Sequence, residues 1–84
     1  MGDGMYEVTI YVDRRTVTAR VRAASWVSAE VHPDLYPVAF GTGRGARCDG
    51  ADHRRDANGR GYALLFARDG RTARVYDDEV RRVE

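Results

Sequence analysis

The segment YALLFARDGRTARVY, residues 62–76, predicts a β-hairpin. Asp69-Gly70 lies between two segments of strand-like composition, and Asp-Gly is one of the strongest signals for a two-residue hairpin turn. A turn at these two residues pairs Arg68 with Arg71. We therefore expect two antiparallel strands that are joined at this turn.

The predicted pairing gives apolar side chains to both faces of this hairpin. The face assigned to the core carries Leu64, Phe66, Ala73 and Val75. The opposite face carries Ala63, Leu65 and Tyr76, which is more apolar than a solvated strand face usually is. We therefore expect another element or a partner to cover this second face.

The N-terminal segment predicts a second hairpin. In MYEVTIYV (residues 5–12) and TVTARVRA (residues 16–23), apolar side chains recur at every second position, which is the period of a half-buried strand. Pairing Val12 with Val17 brings these apolar side chains together on one face, around a turn at 13–16. A slip by one residue would put Arg20 and Arg22 in the core, so we expect the register to be well determined.

The segments between the two hairpins are harder to assign. WVSAEV, residues 26–31, is predicted as a third strand, with a short helix capped by Ser25 as the alternative. Residues 38–40 are predicted as a short strand. The stretch 41–61 has no large apolar residue and contains six glycines, five arginines and three aspartates, so we expect a long polar loop.

Five or six short strands without a convincing amphipathic helix predict a mostly β fold. The expected architecture is a small antiparallel five- to six-stranded sheet or an SH3-like barrel. A five-stranded Greek-key barrel of the oligonucleotide-binding (OB-like) kind is the runner-up. The 84 residues are expected to form one domain, spanning residues 1–84.

Composition narrows the class of protein further. The formal net charge is +1, which gives no general attraction to nucleic acid or to an anionic membrane. A single cysteine excludes an internal disulfide and suggests a reducing compartment. Since no signal peptide and no membrane-spanning apolar run is visible, we expect a cytoplasmic protein without membrane contact.

The polar stretch contains residues that could carry chemistry, but their spacing is unfavourable. Cys48, Asp49, Asp52 and His53 fall short of the four paired Cys and His ligands of a structural zinc site. Cys48 and His53 could serve as a nucleophile and its base, but no third group to orient the base is evident. We therefore predict no catalytic residue, no metal ligand and no cofactor.

The sequence then favours a small non-enzymatic binding or accessory module that acts through protein–protein contact, including a homodimer. The aromatic and apolar side chains expected at the surface and the arginines of the first hairpin form the predicted partner-binding set. Its members are Tyr11, Trp26, Leu65, Tyr76, Arg20 and Arg22.

Two alternatives come from other classes of protein. A single-stranded nucleic-acid-binding domain would use the exposed aromatics and the arginines of the polar stretch for phosphate contacts. Those arginines are Arg44, Arg47, Arg54, Arg55 and Arg60. A small enzyme or metal-dependent protein would use Cys48 and His53.

Overall fold

The computed structural model describes residues 3–84. About half of the residues lie in strands, and these strands form a single antiparallel sheet of six. The strands are β1 (Gly4–Val12), β2 (Arg15–Ala23), β3 (Cys48–Arg55), β4 (Gly61–Ala67), β5 (Thr72–Tyr76) and β6 (Val80–Arg82). Their order is β2-β1-β5-β4-β3, and β6 also pairs with β1. The predicted antiparallel sheet is confirmed. The sheet does not close into a barrel, so the barrel alternatives are not supported.

Two short helices lie on one face of the sheet and complete its core. They are α1 (Trp26–Ala29) and α2 (Leu35–Phe40). Both helices share one buried cluster with side chains from the sheet, including the fully buried Val8, Ile10 and Leu65. Among residues 3–84, no helix has the length and the apolar run needed to cross a bilayer.

The first hairpin has the predicted faces but a different register. Val12 pairs with Arg15 and Ile10 with Val17, a shift of two residues from the predicted pairing of Val12 with Val17. Asp13 and Arg14 form the turn alone, and both have positive φ, 50° and 66°. Two consecutive turn residues with positive φ are typical of a type I′ turn, whose twist matches that of the paired strands. A shift of two residues leaves the core face unchanged because side chains alternate with period two.

The second hairpin is shifted by one residue, which exchanges the faces of β4. Leu65 pairs with Ala73, the residue that the predicted pairing placed opposite Phe66. The connection has three residues, because the Ala67 amide donates to the Arg71 carbonyl at 2.9 Å and Gly70 takes a φ of 94°. Leu65 is consequently in the core, and the prediction that it faces a partner is wrong.

The segment after β2 is helical. Ser25 caps α1, since its hydroxyl accepts a hydrogen bond from the Ser28 amide at 3.3 Å, so the predicted strand over 26–31 is wrong and the helical alternative is confirmed. The predicted strand at 38–40 is also wrong. Residues of α2 are buried at helical spacing, among them Leu35, Tyr36 and Ala39.

The predicted polar loop at 41–61 is also wrong in its middle. Residues Cys48–Arg55 form β3, which pairs with β4 at the edge of the sheet. Nearly all of its residues are exposed, and backbone hydrogen bonds to β4 hold the strand in place. It therefore lacks the apolar pattern by which a strand is recognised in a sequence. Two shorter connections remain, and the first contains a 3-10 turn at Arg44–Ala46.

Candidate functional site

A buried carboxylate marks the first candidate site. Glu30 follows α1, and its relative exposure is 0%, which makes it the only charged residue buried in the part of the chain that the structure describes. Carboxylates are almost never fully buried unless a partner compensates them. We therefore expect groups that compensate the charge of Glu30 to lie beside it.

His53 is the first neighbour of this carboxylate. It lies on β3 opposite Ala63, on the face of the sheet that carries Ala51 and the core. Its Nε2 is in hydrogen-bond contact with Glu30 Oε1, while 51% of its side chain remains exposed to solvent. The imidazole thus connects the buried carboxylate with the surface.

Asp77 is the second neighbour, and it starts the 3-10 turn Asp77–Glu79 that follows β5. Its carboxylate lies against Gly61, where an added Cβ would overlap Asp77 Oδ2. Gly61 therefore provides the space that this carboxylate occupies. One ligand atom each from Glu30, His53 and Asp77 lies within 4.8 Å of the other two. We call these three residues the buried-carboxylate site.

The electrostatics of this site are unusual. Burial, together with the nearby Asp77, raises the pKa of Glu30 to about 7, and His53 opposes the shift. Glu30 Oε2 and Asp77 Oδ1 are buried and have no hydrogen-bond partner within residues 3–84. A cavity of about 290 Å³ opens beside the site, lined by His53, Asp77 and Gly61 with Arg54 and Arg55. The arrangement can hold a proton or a cation between its carboxylates.

The second candidate site is the sheet surface that faces away from the helices. It carries Tyr11, Tyr62, Leu64, Phe66 and Tyr76, and we call it the open face. The ring of Tyr76 lies between those of Tyr11 and Tyr62, with centroid distances of 5.6 Å on both sides. The Tyr11 hydroxyl donates to Glu79 Oε2 at 2.9 Å, which raises the pKa of Tyr11. These contacts fix the rings as a row across three strands.

Arginine side chains stack on this aromatic row. The guanidinium carbon of Arg60 lies 3.8 Å from the Tyr76 ring centroid, and that of Arg74 lies 4.4 Å from the Tyr62 centroid. Arg60 also pairs with Asp78 at 2.8 Å. Stacking of this kind is favourable because the ring faces carry negative charge.

The structure divides the predicted partner-binding set among three places. Tyr11 and Tyr76 lie on the open face, and Arg20 and Arg22 extend from β2 at its edge. Trp26 is 43% exposed, but it belongs to α1 on the helical side. Leu65 is fully buried, so it cannot contact a partner in the folded domain.

The predicted phosphate-contacting arginines do not form one patch. Arg54 and Arg55 are neighbours on β3 and therefore point to opposite faces of the sheet. Arg60 is paired with Asp78, whereas Arg44 begins the 3-10 turn before β3 and Arg47 follows that turn. The charges are spread over several surfaces, and part of them is already neutralised.

Cys48 and His53 are also separated. They lie near opposite ends of β3, roughly 15 Å apart at the rise of a strand, which is too far for a nucleophile and its base. Asp52 points to the open face and pairs with Arg54 at 3.2 Å, away from His53. The metal set considered from the sequence is therefore not assembled.

Sequence reasoning missed Glu30 and Asp77. Glu30 falls in the segment 26–31 that the sequence predicted as a strand, and no role was predicted for Asp77. The Ser25 cap was the available signal for Glu30, because a helix there places residue 30 beside the buried Ala29. No signal in the sequence links either residue to His53.

Comparison with known proteins adds no relative, since the chain matches no family model and is not significantly similar to any curated protein or solved structure.

Proposed function

We propose that this protein is a small non-enzymatic binding module that docks a protein partner on the open face of its sheet. The observation that carries the proposal is the row of Tyr11, Tyr76 and Tyr62 with arginines stacked on it. Tyrosine and arginine are, with tryptophan, the residue types enriched among those that dominate the binding energy of protein interfaces. Here the tyrosine side chains project from paired strands, which hold them in fixed positions.

The open face is preorganised for contact. Ring-to-ring packing and the stacked guanidiniums of Arg60 and Arg74 hold these side chains in place before a partner arrives. Ordering a free side chain on binding costs about 0.5–1.5 kcal/mol, so fixed side chains bind at lower entropic cost. Tyr11 is 36% exposed at one end of the row, which leaves apolar area for a partner to bury.

Charge at the edge of the open face favours an acidic partner surface. Arg22 forms no ion pair within residues 3–84, and Arg74 donates to the Tyr76 hydroxyl at 3.2 Å without a carboxylate partner there. Complementary charge would speed encounter and select the partner. Self-association through the same face is the homodimeric form of the proposal.

The test is affinity capture from nuclease-treated lysate with three forms of the protein. We expect the wild type and Trp26→Ser, a change on the helical side, to retain the same partner. The double variant Arg74→Glu/Tyr76→Ser should lose it, because the central ring of the row is removed and the charge at position 74 is reversed. Circular dichroism checks that all three forms are folded.

Other outcomes would contradict the proposal. Loss of the partner by Trp26→Ser alone would move the interface to the helical side. If the wild type captures nothing and also sediments as a monomer at micromolar concentration, neither form of the proposal survives. Binding of a single-stranded oligonucleotide that weakens steeply with salt would replace the protein partner by nucleic acid.

A further inference from the structure

The buried-carboxylate site has the ligand atoms of a metal centre. It combines an imidazole nitrogen from His53 with carboxylate oxygens from Glu30 and Asp77, and these are ligand types that Zn²⁺ accepts. Zinc bonds of about 2.1 Å in a tetrahedral site place ligand atoms roughly 3.4 Å apart. Small side-chain adjustments would bring the three ligand atoms, which lie within 4.8 Å of one another, to this separation.

An independent observation also points to a cation. Glu30 is fully buried, and its Oε2 has no hydrogen-bond partner in the described chain; the same holds for the buried Asp77 Oδ1. Buried carboxylate oxygens without partners are costly, and a metal ion compensates them directly. The absence of a side chain at Gly61 keeps the Asp77 carboxylate within reach of the other two ligands.

The cavity supplies the remaining coordination position. Its volume of about 290 Å³ adjoins His53 and Asp77, so water can reach an ion held there. The two arginines at its rim have other partners: Arg55 donates to the Gly59 carbonyl at 2.9 Å, and Arg54 pairs with Asp52 at 3.2 Å. Three protein ligands and one open position form a recurring zinc arrangement.

We propose that Glu30, His53 and Asp77 bind one divalent transition-metal ion of the zinc class, with solvent at the fourth position. Calcium and magnesium fit less well, because they favour six or more oxygen ligands and this site offers an imidazole. The proposal is independent of a partner on the open face.

The test is calorimetric titration with Zn²⁺ in a Cys48→Ser background without a polyhistidine tag. The exposed Cys48 thiol is removed because it could bind zinc elsewhere. We expect one ion per chain. His53→Ala and Asp77→Asn should each weaken Zn²⁺ binding more than about 100-fold. Even the loss of a group that only positions a metal ligand lowers metal affinity by about 10–100-fold. His32→Ala is the matched histidine control and should bind as the background does.

A glycine pair tests the geometry without removing any ligand. Gly61→Ala should displace the Asp77 carboxylate and weaken Zn²⁺ binding about tenfold or more. Gly43→Ala is the control, because a Cβ there meets no atom of residues 3–84 within 4 Å and the φ of Gly43 is −71°. The absorption spectrum of bound Co²⁺ should change in Gly61→Ala and stay the same in Gly43→Ala.

Two results would overturn the proposal. One is the absence of saturable Zn²⁺ binding by the folded Cys48→Ser protein, which would leave the three residues as a proton-sharing cluster. The other is unchanged affinity in His53→Ala. His53 is half exposed, so this variant remains informative even if Asp77→Asn does not fold.

Discussion

Neighbouring leucines on β4 provide a matched test of the register that separates the core from the open face. Leu65 is fully buried among core residues, whereas Leu64 is half-buried on the open face opposite Arg74. Leu65→Ala removes the same atoms as Leu64→Ala, but only the first leaves a cavity inside the protein. Because Leu65 is fully buried, Leu65→Ala should lower the free energy of unfolding by about 3–4 kcal/mol. This figure combines the lost transfer free energy of the side chain with the cost of the cavity.

Leu64→Ala should lower the free energy of unfolding by only about 1 kcal/mol. Folding buries only part of the Leu64 side chain, and solvent can fill the space that the substitution leaves. Denaturant unfolding of both variants measures the difference, provided that the denaturant dependence of the unfolding free energy is unchanged. In a domain of this size, the gap of about 2–3 kcal/mol separates the melting temperatures by more than about 8 °C. Equal costs, or a larger cost for Leu64→Ala, would refute this register and with it the open face.

Three further changes test local features of the structure. In metal-free protein, stability should fall by about 3 kcal/mol as the pH rises from about 4.5 to about 7, because unfolded Glu30 loses its proton near 4.5 and folded Glu30 near 7. Glu30→Gln should remove that slope in pH-dependent unfolding, and an unchanged slope would contradict the assignment. Asp13→Asn/Arg14→Gly should raise the unfolding free energy by about 1 kcal/mol, since both positions have positive φ; a loss of stability would argue against this turn. Tyr36→Phe should cost about 1 kcal/mol through the lost hydrogen bond to the Gly50 carbonyl at 2.7 Å, and a neutral result in thermal unfolding would contradict that bond.

The sequence predicted the strands of both hairpins because their residues alternate or carry a turn signal. Errors arose where turn geometry decides the pairing. Asp13 and Arg14 both adopt left-handed backbone conformations, which a sequence without glycine does not predict. Asp69-Gly70 belongs to a three-residue connection rather than to the expected two-residue turn. A shift of one residue was enough to exchange the roles of Leu64 and Leu65.

The strand β3 was unpredictable for a different reason. As an edge strand it gains its hydrogen bonds from β4 and buries almost no side chain, so only Ala51 is even partly buried. Apolar periodicity, the main signal for a strand in a sequence, is therefore absent. Its glycines and arginines are typical of a loop.

The two candidate sites differ in how far the sequence could reveal them. Tyr11 and Tyr76 were predicted as partner-binding residues from strand phase alone, and both lie on the open face. The buried-carboxylate site takes Glu30 from the end of α1, His53 from β3 and Asp77 from the turn after β5. Only the pairing of the sheet and the packing of α1 bring these three residues together.

We propose that the partner contacts the open face, and methyl NMR of the complex with the captured partner locates the contact surface without any substitution. The methyl groups of Leu64 report on the open face, while those of Val27, which is 44% exposed on α1, report on the helical side. We predict that addition of the partner shifts the Leu64 methyl signals and leaves those of Val27 in place. Shifts at Val27 with an unchanged Leu64 would contradict the claim.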